Sequence, residues 1–139
     1  MKKLITLFLI GLLSGCYMPR NSDATAEQAP RWTPSFSEFS DVPVAPNAAM
    51  DLKQTHLFGE SNSWTGSLVY SVSDQMSELY DFYKQEMPKF GWTEVLSVRS
   101  KTSVMTFTNK ERAALIQIEP NAITGTTVIF TVGLKSASK

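Results

Sequence analysis

One stretch limits the fold of this 139-residue chain more than any other. Between Ser73 and Phe90 the apolar residues Met76, Leu79, Tyr80, Tyr83, Met87 and Phe90 recur at steps of three and four. That spacing puts them on one side of a helix, which must bury that side against something. Ser73 is placed to cap its start, and Asp74 and Glu78 sit where the helix dipole favours negative charge. Pro88 removes a backbone donor and predicts a kink or a tightened last turn. Gly91 then supplies the left-handed stop.

The runs on either side of this helix have period two instead. Met50–Leu57 reads as a first strand with imperfect alternation. Gly59–Asn62 is a turn cluster. In the next run Trp64, Gly66, Leu68, Tyr70 and Val72 alternate with Thr65, Ser67, Val69 and Ser71, and the two runs make a hairpin. Four strands follow the helix, at Trp92–Arg99, Ser103–Asn109, Ala113–Glu119 and Thr126–Leu134. In the first of them Trp92, Leu96 and Val98 are expected on one face. Short links favour an antiparallel meander. The expected fold is therefore a two-layer α+β domain, in the order β-β-α-β-β-β-β, with one helix on one face of an antiparallel sheet. Apolar residues on both strand faces call for a second cover, which the aromatic segment ahead of the domain is placed to supply.

The start of the chain says where such a domain works. Lys2 and Lys3 precede a ten-residue apolar run, Leu4–Leu13. This is too short to span a bilayer core and has the layout of a secretory signal. Leu13-Ser14-Gly15-Cys16 resembles the lipobox of bacterial lipoproteins at all four positions. The resemblance implies cleavage before Cys16, a diacylglyceryl group on its thiol, and an acylated new amino terminus. Tyr17, where that family's inner-membrane retention signal has Asp, leans toward the outer membrane. Cys16 is the only cysteine; once acylated, it leaves no thiol for a disulfide, and the domain must stand on its core.

Residues 17–29 are small and polar and read as a flexible tether, able to reach roughly 45 Å when extended. Residues 30–46 carry Trp32, Phe36 and Phe39 among prolines, and Ser35 with Glu38 fits a capping box. These aromatics either fold back onto the domain or, with an open sheet edge, dock on another envelope protein. The expected division is signal peptide 1–15, lipidated Cys16 with tether and aromatic segment 16–40, domain 41–135, and a frayed tail 136–139.

Catalytic chemistry finds little support. Without Lys2 and Lys3 the 13 basic residues fall to 11, against 13 acidic ones, so no basic excess points to nucleic acid. His56 is the single histidine and lacks cysteine partners for a metal site. No Gly-x-Ser-x-Gly elbow or phosphate-cradling glycine spacing occurs. Asp74 with Glu78, or Glu111 with Glu119, read as solvated helix-start and turn charges. No cofactor, metal or catalytic residue is expected.

Phe82-Tyr83-Lys84-Gln85-Glu86-Met87-Pro88-Lys89-Phe90-Gly91-Trp92 resembles a segment of small bacterial lipoproteins of unassigned role, in which a Val-Pro stretch and a hairpin precede such a helix. The likeness runs from about Asp41 to Leu134 and implies shared architecture. The layout also has a distant similarity to accessory lipoproteins of the outer-membrane barrel-assembly machine, where a linker after the lipid site binds a neighbouring subunit. The sequence thus predicts a non-enzymatic lipoprotein facing the periplasm, held to the bilayer through acylated Cys16, as accessory or scaffold subunit of an envelope complex. The alternative is a module binding a small lipid, glycan or peptide in a cavity lined by Trp64, Tyr70, Tyr83 and Trp92.

Overall fold

The computed structural model describes residues 33–136. Cys16, Trp32 and the residues expected to form a signal and tether lie outside that range. Within it the chain runs through a 3-10 turn (Phe36–Phe39), β1 (Ala49–Met50), β2 (His56–Phe58), β3 (Thr65–Val72), α1 (Met76–Glu86), a second 3-10 turn (Met87–Phe90), β4 (Thr93–Val98), β5 (Ser103–Asn109), β6 (Arg112–Pro120) and β7 (Thr126–Leu134). All strand pairings are antiparallel. The fold is α+β, with a helix on an antiparallel sheet.

The sheet runs β1-β3-β7-β6-β5-β4, and β2 also pairs with β3. The four strands after the helix form the expected meander. Its last strand, β7, returns to β3 over seven residue pairs, Gly66↔Val132 to Val72↔Thr126, so the hairpin and the meander share one sheet.

The expected first strand is broken in two. Asp51 ends β1 with its own side chain: Oδ1 accepts the N–H groups of Lys53 (2.9 Å) and Gln54 (3.3 Å), and Oδ2 accepts Gln54 Nε2 (2.7 Å). Such a local turn competes with a strand ladder. The chain resumes as β2, close against Gly66. A Cβ there would lie 2.1 Å from the carbonyl oxygen of His56, so only glycine fits this approach.

The helix starts two residues later than Ser73 as its cap would have it. Gln75 is extended at the N-cap, and its backbone N–H donates to Glu78 Oε2 at 3.0 Å. Ser73 and Asp74 stay outside because the Thr126 hydroxyl of β7 donates to the Asp74 carbonyl (2.7 Å). At the other end the expected tightening at Pro88 is the second 3-10 turn. Gly91 closes it at φ +83°, and Trp92 N–H donates to Met87 O (3.2 Å). The rotation this introduces leaves Phe90 exposed while Met87 is buried.

A bulge corrects the expected face of β4. Glu94 pairs with Phe107 and Leu96 with Thr106, so Val95 is an extra residue. An inserted residue reverses the side-chain alternation after it. Trp92 is therefore buried with the core, while Leu96 and Val98 are exposed.

One core holds the domain. Leu79, Tyr80, Tyr83 and Met87 pack on Leu68, Tyr70, Met105, Phe107, Ile116, Phe130 and their neighbours. Phe39, Val42 and Ala45 belong to the same cluster. Residues 33–48 thus form a strap on the helix side of the sheet. This corrects the expectation that the aromatic segment covers the opposite face. Registers place Leu96, Thr106, Leu115, Thr131 and Ser67 in one row across that opposite face, and Val98, Val104, Gln117, Ile129 and Val69 in another. Among the described residues no helix lies over them.

Candidate functional site

The polar centre of the domain is where the strap meets the sheet. Asp41 leaves the first 3-10 turn beside the 2 %-exposed Trp92. Three donors from the domain converge on this residue. Trp64 Nε1 donates to Asp41 Oδ1 at 2.7 Å, Trp92 Nε1 donates to the Asp41 carbonyl at 2.7 Å, and Arg112 Nη2 donates to Asp41 Oδ2. Arg112 also donates to the carbonyls of Trp64 (3.1 Å) and Asn62 (3.2 Å). Its guanidinium carbon lies 5.2 Å from the Trp92 ring centre, a cation–π distance. The arrangement follows from local structure: Arg112 opens β6 directly after a turn in which Lys110 takes φ +51°, and Trp64 directly precedes β3.

Beside this clamp lies an open cleft of about 460 Å³, lined by Asp41, Asn62, Asn109, Lys110, Arg112 and Leu134 among others. Arg112 and Asp41 are engaged with each other and with the fold. The carboxylate accepts, the guanidinium donates, and neither is left over to activate a nucleophile. Among the described residues no group of three or more His, Cys, Asp or Glu is placed to hold a metal ion. His56 is exposed on β2.

The predicted aromatic cavity is not open. Trp64, Tyr70, Tyr83 and Trp92 are all buried in the one core cluster. Strap residues occupy the space over two of them: Phe39 stands edge-on to Trp64 (4.8 Å, 84°) and Phe36 edge-on to Tyr70 (5.9 Å, 89°). The Tyr70 hydroxyl accepts the Ala45 N–H at 3.4 Å. Burial pushes the pKa of that hydroxyl well above the usual tyrosine range. One atom departs from this closure. Among the described residues, Tyr83 Oη is the buried side-chain polar atom that has no hydrogen-bond partner, although its ring packs on Phe130 (5.3 Å). A shallow groove of about 340 Å³ runs between strap and helix, over Ala45, Pro46, Leu79 and Phe82 with Asp74 and Glu78 beside them.

The expected docking residues therefore divide. Cys16 and Trp32 lie outside the described residues. Phe36 is half-buried, and Phe39 is a core residue. In this arrangement Phe39 cannot also reach a partner, because its ring is enclosed against Trp64. Asp41 and Arg112 were not legible beforehand. They are 71 residues apart, and nothing local marks an Asp in a Pro-rich stretch or an Arg after a turn as partners.

Fold and site together define a class: one helix and one strap packed on a single face of an antiparallel sheet, with a filled core. The sequence profile of the START domain-like family matches residues 54–129, and the chain belongs to that family. No curated protein is significantly similar to the chain. No solved structure is significantly similar to it.

Proposed function

We propose that this protein is a lipid-anchored, non-catalytic binding module of the bacterial cell envelope, facing the periplasm from the outer membrane as accessory or scaffold subunit of a complex. The observation that carries the reading is Cys16, directly after Leu13-Ser14-Gly15 and a short charged-then-apolar leader. The acyl chains hold the protein, since each buried CH₂ contributes about 0.8 kcal/mol and two or more chains make attachment lasting. Fractionation tests the anchor. Wild-type protein should sediment with membranes and Cys16→Ser protein should not; equal sedimentation would refute it. Crosslinking in cells, followed by co-purification, tests for the envelope partner.

A second reading is favoured by one atom. The orphaned Tyr83 hydroxyl, on the helix and against the sheet, suits a small ligand that parts the two and supplies the missing acceptor or donor. Native mass spectrometry of protein from its own membrane tests it. A bound small molecule that Tyr83→Phe abolishes would favour this reading. A ligand-free protein that Tyr83→Phe merely stabilises would remove it, because deleting an unsatisfied buried hydroxyl is neutral or favourable.

A further inference from the structure

The two ends of the sheet differ. At one end stand Phe58, paired with Thr65, and Leu134, paired with Arg112. The Asn109–Arg112 turn lies there too, and so does Gly91, whose nearest outside atom to an added Cβ is Asn109 Nδ2 at 3.6 Å. Phe90 precedes that glycine. At the other end Val72 and Pro120 both pair with Thr126, and the loop carrying Ile123 lies beyond them. β3 separates the ends by eight residues, roughly 25 Å at strand rise.

Exposed large apolar side chains are not evenly shared. Phe58 (70 % exposed) and Leu134 (75 %) stand at the first end with the partly exposed Phe90, and Leu52 lines the same dent as Phe58. The far end has Ile123 (89 %), with Val98 (48 %) toward it, while Val95 and Leu96 lie along the β4 edge. A single exposed leucine needs no explanation, but a grouping does.

The first end is also where the chain enters the domain. Pro34 lines the dent with Leu52 and Phe58. Phe39 then meets Trp64, the Ser40 hydroxyl donates to the Ser61 carbonyl (3.3 Å), and Asp41 meets Arg112. The strap then runs back past Tyr70, on whose ring Phe36 already packs, to β1, where Ala49 pairs with Ser71. The chain arriving from Cys16 therefore reaches the domain at its apolar end, with sixteen residues (17–32) between Cys16 and Thr33.

We propose that this end rests on the bilayer, with Phe58, Leu134 and Phe90 in the headgroup region, so that the domain stands upright on the membrane with Ile123 outermost. The partner is a phospholipid surface. The inference rests on the anchor reading of Cys16. Lys110 and Lys135 at this end are offset by Glu60 and Glu111, so the contact is apolar insertion rather than attraction to anionic lipid.

The test uses full-length lipidated protein in phosphatidylethanolamine–phosphatidylglycerol vesicles. Phe58→Cys, Leu134→Cys and Ile123→Cys each provide the single free thiol, because acylation blocks Cys16. Each is labelled with nitrobenzoxadiazole and exposed to a nitroxide-bearing lipid. Quenching at positions 58 and 134 should exceed that at 123 at least threefold, and should persist at high salt. Near-equal quenching at all three, or more at 123, overturns the proposal and leaves the anchor standing. A Cys16→Ser protein that stays on the vesicles with the same ordered quenching would remove the anchor reading and leave the contact standing.

Discussion

The domain contains the same device twice, an arginine paired with an aspartate over an aromatic ring. Arg112 meets Asp41 above Trp92; Arg99 meets Asp81 at 2.5 Å and lies 4.1 Å from the Tyr80 ring centre. The chemistry is alike and the surroundings are not. Side chains of the first pair are 12 % and 14 % exposed, and those of the second 50 % and 56 %. The first pair also satisfies two carbonyls and an indole N–H. The second ties the β4 end to the helix with no further partner of that kind. Breaking a pair shielded from water leaves an uncompensated charge, whereas water replaces a lost partner at the surface. Two pairs with one composition should therefore differ several-fold in their contribution.

The largest expected effect would break the comparison outright if it failed. Arg112→Ala should destabilise the domain by about 3–5 kcal/mol, read by chemical denaturation; a loss as small as that of Arg99→Ala would put both pairs in one class. Phe39→Ala asks whether the strap rather than the charge pair holds this end. A buried phenylalanine truncated to alanine costs about 3–5 kcal/mol, and here the cost should fall near the lower figure because the strap can settle. Its unfolding midpoint checks this; an unchanged midpoint would free the strap from the core. Arg99→Ala should cost less than about 1 kcal/mol, and the difference should shrink in concentrated salt. A loss equal to that of Arg112→Ala would show that exposure does not govern these pairs.

The smallest effect concerns a third aspartate, one held mainly by amide donors and only weakly by the charge of Lys53. The Gln54 side-chain amide, and after it the Lys53 N–H, hold the Asp51 carboxyl below the usual aspartate value. A depressed folded pKa contributes stability that is present above the unfolded value, about pH 4, and is lost as pH falls through the lowered one. Asp51→Asn should therefore flatten the acid limb of the stability profile and change little at neutral pH. Stability curves of the two proteins from pH 2 to pH 7 would reveal any difference.

What the sequence disclosed depended on how local the cause was. The helix between Ser73 and Phe90 and the strands β5, β6 and β7 were legible because their periods lie in consecutive residues. The split at Asp51 was not, because a side-chain turn and a continuing strand use the same residues and only the ladder decides between them. The faces of Leu96 and Val98 were misjudged because one inserted residue, Val95, reverses every position after it without leaving a mark in composition. The core role of Phe39 stood as one of two readings, since three aromatics among prolines suit both burial and docking. The Asp41–Arg112 clamp was invisible because it is made of chain separation closed by folding, which no spacing rule encodes.

That inserted residue in β4 has a consequence for how such molecules coexist. A sheet edge is a template on which another chain can continue the ladder. β4 is the outer strand of the meander, and its bulge at Val95 interrupts the ladder partway along. The opposite border consists of β1 and β2, of two and three residues, too short to seed a further strand. Copies that meet are thus denied a strand-by-strand route into one another, and recognition is left to the face and the ends of the sheet.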